Sequence, residues 1–105
     1  MPDSLPTIDV SELAALLAAD PSTPLLDVRE PAEYAEAHVP SAVLMPLATV
    51  PAHLADIPRD RTVYVICRSG NRSGQAVAWL NAQGFDTVNV AGGTMAWTSS
   101  GHPVA

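Results

Sequence analysis

Apolar positions along the chain fall into two kinds of run. In residues 11–19, Leu13, Leu16 and Leu17 share one helical face, which predicts a first helix with Ser11 at its N-cap and an end near Asp20 and Pro21. A short apolar pair, Ile8 and Val10, borders it. Residues 24–28, 42–45, 62–67 and 87–90 are short and mostly apolar, too brief for helices and suited to buried strands. The clearest is 62–67 (TVYVIC), rich in β-branched and aromatic residues as central parallel strands are. Residues 31–37 read as a brief helix with Pro31 in its first turn, where a missing amide hydrogen costs little. Residues 71–83 carry Val77 and Leu80 on one face, with Trp79 nearby and Gly84 in the place of a C-terminal glycine cap. Pro46, Pro51 and Pro58 punctuate turns, and residues 94–99 close the pattern. Strands alternating with helices predict an α/β fold, a central mostly parallel β-sheet with helices on both faces.

Composition narrows the partners. A chain of 105 residues, 48% hydrophobic and 15% charged, is expected to form one domain over residues 1–105, too apolar for disorder. A net charge of -6 repels phosphate backbones and anionic lipid, so neither nucleic acid nor membrane is an expected partner. All basic residues are arginines: Arg29, Arg59, Arg61, Arg68 and Arg72. The lone cysteine, Cys67, has no partner for a disulfide within the chain and suits a reducing compartment. Residues 1–5 carry neither a basic start nor an apolar signal core, and no stretch is long enough to span a bilayer. The expected location is cytoplasmic.

In parallel α/β sheets the functional crevice lies beyond the carboxyl ends of the strands. Three predicted strand ends carry unusual residues: Asp27-Val28-Arg29, Cys67-Arg68-Ser69-Gly70-Asn71-Arg72-Ser73 and Ala91-Gly92-Gly93. A cysteine that ends a buried strand and opens a tight loop into a helix meets successive backbone N–H groups and the positive end of the helix dipole. Such surroundings, with Arg68 and Arg72 nearby, lower a thiol pKa. Gly70 permits the close backbone approach that a cradle of amides needs. A free cysteine at a strand end is otherwise commonly a small buried hydrophobe, a reading that accounts for neither the arginines nor the glycine.

On these residues the chain resembles the rhodanese-like sulfurtransferases. The resemblance is carried by Leu25-Leu26-Asp27-Val28-Arg29, Glu33-Tyr34, Ala37-His38-Val39-Pro40-Ser41-Ala42, the loop from Cys67 to Ser73, and Gly92-Gly93 with Trp97. It implies a three-layer sandwich and a reaction in which Cys67 takes a sulfane sulfur from a small anionic donor such as thiosulfate, becomes a persulfide, and passes the sulfur to cyanide or a thiol, a protein thiol included. It implies no metal and no organic cofactor. Cysteine-dependent phosphatases place five residues between cysteine and arginine, whereas four separate Cys67 from Arg72, a shorter ring suited to one terminal sulfur. A phosphatase or arsenate-type enzyme, and a sulfur-carrier or interaction domain without small-molecule turnover, are the alternatives.

Supporting roles fall to Asp27, Arg29 and Glu33, with Asp27 or Glu33 expected to pair with Arg72 and fix the loop. His38 reads as structural, since a helix N-terminus supplies an ionised thiol without a base. Ala37 and Ser41 stand where the family commonly has glycines, so a positive φ there would strain the turn. His53 and His102 lack neighbours at metal-ligand spacing and read as exposed or capping. Trp79 and Trp97 read as core or half-buried aromatics.

Overall fold

A computed structural model describes residues 5–105, so the reading of residues 1–5 lies outside them except for Leu5. The elements run β1 Thr7–Ile8, α1 Val10–Ala19, β2 Leu25–Asp27, α2 Pro31–Glu36, β3 Val43–Leu44, a 3-10 segment Leu47–Asp56, β4 Val63–Ile66, α3 Asn71–Ala82, β5 Thr87–Val90 and α4 Gly93–Ser99. The five strands form one sheet in the order β1-β5-β4-β2-β3. Every pairing is parallel, where a mostly parallel sheet is expected from the sequence.

The alternation along β4 shows how the sheet buries both faces. Val63, Val65 and Cys67 face one core with Val50 and Ile57 from the 3-10 region and Ala76, Val77 and Leu80 of α3. Tyr64 and Ile66 face the other, with Val10 and Leu13 of α1 and Trp97 of α4. Successive strand side chains point to opposite faces, so an apolar residue at every β4 position is what two covering layers require. Burying a valine or isoleucine fully contributes about 1.5–3 kcal/mol, which makes β4 the anchor of the fold.

Several local readings are corrected. The cap of α1 is Asp9, not Ser11: the Glu12 amide donates to Asp9 Oδ1 at 2.8 Å and the Asp9 amide to Glu12 Oε1 at 3.1 Å, a reciprocal capping box. Ser11 lies inside the first turn. The prolines after Met45 sit around and within a 3-10 segment rather than plain turns, with Pro46 at its N-cap and Pro51 inside it. Trp97 is buried, but Trp79 is 39% exposed on α3, outside the core. All positive φ angles among the described residues belong to glycines, and Ala37 at φ -168° is ordinary extended backbone, so neither Ala37 nor Ser41 takes the positive φ that would strain the turn.

Strand order explains why three strand ends meet. β5, β4 and β2 are neighbours, so Ala91-Gly92-Gly93, Cys67 and Asp27-Val28-Arg29 emerge side by side at one edge. Among the described residues no helix is long and apolar enough to cross a membrane.

Candidate active site

Cys67 follows the last residue of β4 and is 1% exposed. Its Sγ accepts a hydrogen bond from the Gly70 amide at 3.1 Å and lies 3.3 Å from Ser73 Oγ. Gly70 takes the left-handed conformation, φ 108°, that turns the chain from this loop into α3.

The start of α4 holds the outer side of the same loop. The Thr94 amide donates to the Cys67 carbonyl at 2.9 Å and the Met95 amide to the Arg68 carbonyl at 3.0 Å, with Thr94 Oγ1 adding a bond to the Cys67 carbonyl. In a planar trans peptide the N–H points opposite to the C=O. Fixing the Arg68 carbonyl on α4 therefore turns the Ser69 amide the other way, toward the sulfur. Gly93 makes this approach possible: at φ 58°, a Cβ there would overlap the Cys67 carbonyl oxygen and the Arg68 backbone.

Burial by itself pushes the Cys67 thiol up. The hydroxyl and amide of Ser73 and the amides of Gly70 and Ser69 outweigh it, and the thiol is held below its ordinary value. Hydrogen bonds outrank the arginine charges in this, a correction to the weight the sequence places on Arg68 and Arg72. Arg72 is engaged elsewhere, its Nη1 and Nη2 holding the two carboxylate oxygens of Glu33 at 2.7 and 2.9 Å. Arg68 is exposed and, among the described residues, is the one arginine without a side-chain hydrogen bond, ion pair or aromatic stack. Ser69 and Asn71 are exposed at the loop surface.

Of the two carboxylates expected to fix the loop, Glu33 is the partner of Arg72. Asp27 is fully buried and occupied by Arg29, whose Nε and Nη2 reach its carboxylate at 2.8–3.1 Å. Arg29 Nη2 also donates to the Ala37 carbonyl, tying the end of β2 to the end of α2. Glu33 Oε1 accepts from the Glu30 amide at the start of α2 as well, so α2 and α3 are joined through one side chain.

Arg72 first, and then the Glu30 amide, hold the Glu33 carboxyl at about 2 against an ordinary 4.5. Because the folded value lies below the unfolded one, this bond stabilises the fold fully above pH 4.5 and is lost as pH falls toward 2. Glu33→Gln is expected to cost about 1 kcal/mol at neutral pH for this half-exposed pair. The gap to the parent, measured by urea unfolding at several pH values, closes as acidity reaches that window; a gap constant down to pH 2 contradicts the assignment.

His38 is held by Tyr34, with Nδ1 2.7 Å from the Tyr34 carbonyl and the two rings stacked at 3.6 Å. His53 Nδ1 lies 2.9 Å from the Thr49 carbonyl, and His102 packs against the Trp97 ring. Among the described residues no group of three or more His, Cys, Asp or Glu side chains is placed to hold a metal ion.

One site residue escapes the sequence reading. Asn89 on β5 is 9% exposed, accepts from Ser73 Oγ at 2.6 Å through Oδ1, and donates from Nδ2 to the Gly70 carbonyl at 3.3 Å. The available signal is an amide side chain set in an otherwise apolar strand end, which a buried sheet tolerates only where its hydrogen bonds are met.

A parallel α/β sheet that ends its central strand in a buried cysteine, inside a loop of inward-facing amides, defines a class of anion-cradling cysteine folds. Within that class the chain belongs to the rhodanese-like domain family, whose model matches residues 9–100. It is 42% identical over 98 residues to a sulfurtransferase of Allochromatium vinosum, covering 92% of each chain. It is 40% identical over 96 residues to a putative sulfurtransferase of Bacillus subtilis, covering 91% of this chain and 93% of the relative. The crystal structure of a rhodanese-related protein from Thermoplasma volcanium superposes with a TM-score of 0.87 at 32% identity, covering 95% of this chain and 97% of that one.

Proposed function

We propose that this chain is a sulfurtransferase that carries sulfane sulfur as a persulfide on Cys67. The observation that supports it most is the sulfur's environment: one buried Sγ facing the amides of Ser69 and Gly70 and the side chain of Ser73, donors that favour its anionic form. In the first half-reaction the Cys67 thiolate attacks the outer sulfur of thiosulfate. The new S–S bond takes the thiolate electron pair, and the donor's S–S bond breaks with its pair leaving on sulfite. In the second, cyanide or a thiolate attacks the outer sulfur, and the pair of the Cys67 S–S bond returns to Sγ. Charge and electrons balance in each step, with no further oxidant, metal or organic cofactor. The amide cradle stabilises the charge that each step places there.

Arg68 supports a small anionic donor. It lines a groove of about 540 Å³ together with Glu33, Glu36, Thr94 and Met95, and among the described residues it makes no ion pair. Removing that charge by Arg68→Gln is expected to lower kcat/KM for thiosulfate about tenfold, close to 1.4 kcal/mol of a charge-assisted contact. An unchanged kcat/KM would exclude Arg68 from donor binding.

Intact mass after incubation with thiosulfate tests the main reading. One added sulfur atom, removed by cyanide with release of thiocyanate, is the expected result. Phosphate release from an aryl phosphate without any mass gain would support the phosphatase alternative. Sulfur taken only from a protein persulfide would support a carrier.

A further inference from the structure

We propose that Asn89 is a positioning residue for Cys67, its side-chain carbonyl holding the single Ser73 hydroxyl proton while Sγ is uncharged and yielding it when the thiolate forms. The geometry is a chain of three buried groups. Ser73 Oγ lies 2.6 Å from Asn89 Oδ1 and 3.3 Å from Cys67 Sγ, and all three residues are 9% exposed or less. A hydroxyl has one proton to give. It cannot serve both acceptors, and the shorter contact goes to Asn89.

Asn89 therefore competes with the thiolate. With Sγ neutral, as a thiol or as the inner sulfur of a persulfide, the Ser73 proton stays on the Asn89 side. When charge resides on Sγ, the O–H bond rotates toward it and the Asn89 bond is given up. The proton never leaves Ser73 Oγ, so no bond is broken except hydrogen bonds. In the sulfur-transfer reading, on which this purpose rests, the rotor follows charge in both half-reactions: away from Sγ as the donor loads it, back as the acceptor releases it.

The remaining charged groups around Cys67 do not move with this rotor. Arg72 on α3 is paired with Glu33 of α2, Arg29 with Asp27 at the end of β2, and Arg68 is exposed. β5 and the start of α4 present Asn89, Gly92, Gly93 and Thr94, none of which titrates.

The test is a thiolate titration by ultraviolet absorbance on the sulfur-free protein, in which Cys67 is the sole thiol. Asn89→Ala is expected to lower the midpoint by about half a pH unit, or roughly threefold in thiolate population, by freeing the Ser73 proton. In a Ser73→Ala background, where no shared proton exists, the same substitution should leave the midpoint unmoved. A residue that merely braces the loop through the Gly70 carbonyl would shift both backgrounds alike, and that pattern, an upward shift, or no shift at all overturns the proposal. If Asn89→Ala does not fold, Asn89→Val, better suited to a strand and without a hydrogen-bonding group, carries the same comparison. Failure of Cys67 to take sulfur from either thiosulfate or a protein persulfide would defeat the sulfur-transfer reading and leave this titration standing.

Discussion

Cys67→Ser is expected to abolish sulfur uptake from thiosulfate, lowering turnover by at least about a thousandfold, since a covalent mechanism has no second route to the intermediate. The serine hydroxyl matches the thiol closely in shape, and the amides of Ser69 and Gly70 remain to bind it, so the fold should survive. Its oxygen stays protonated in that cradle and forms no stable bond to a sulfane sulfur. The effect therefore separates chemistry from structure: thermal midpoint near that of the parent, sulfur gain by mass absent. If Cys67→Ser still acquires a cyanide-labile sulfur, the centre lies elsewhere and the reading of the loop fails.

The second large effect is expected of Gly93→Ala, through stability. A methyl group there collides with the Cys67 carbonyl oxygen and the Arg68 backbone, atoms of a central strand end that has little room to retreat. Either α4 withdraws and the Thr94 and Met95 amides lose their carbonyl partners, or the loop distorts around Sγ. Loss of two buried hydrogen bonds with overpacking is expected to cost about 3 kcal/mol or more. For a domain of this size that lowers Tm by roughly 12–24 °C. Gly101→Ala supplies the control, because Gly101 has a comparable φ of 81° and open space around its missing Cβ. Its cost should be only about 1–2 kcal/mol, the price of the left-handed backbone alone. Equal effects at the two positions would refute the steric argument. Calorimetry on both variants decides it.

The sequence reveals most where chemistry is local. β5 is read to its ends, and β4 within one residue at each end, because β-branched runs buried on both faces have few other places to go. The loop from Cys67 to Ser73 is legible because a thiol, two arginines and a glycine between strand and helix do not suit a plain core. β1 carries two ladder residues, too few for a period to show, whereas β3, equally short, is read within the apolar run 42–45. Asp9 is overlooked as a cap because Ser11 is as good a capping residue by type, and only the reciprocal bond with Glu12 separates them. Which carboxylate meets Arg72 depends on how α2 lies beside α3, a long-range packing outcome. Asn89 stands out only as an amide in an apolar strand, and its role is hidden for the same reason: its partners on the Cys67 loop and α3 become neighbours only when β5 settles beside β4.

The depth of Cys67 also decides what can meet it. With the residue 1% exposed, the bare thiol is shielded from anything bulkier than a small donor. In the proposed persulfide an S–S bond of about 2.05 Å would place the outer sulfur up to that much farther out than Sγ itself. On that reading a thiol on another macromolecule would reach the outer sulfur while Sγ stays recessed. On the proposed sulfur-transfer reading, recession of the nucleophile would sort reactants by size, with small anions meeting Sγ and larger acceptors only the outer sulfur.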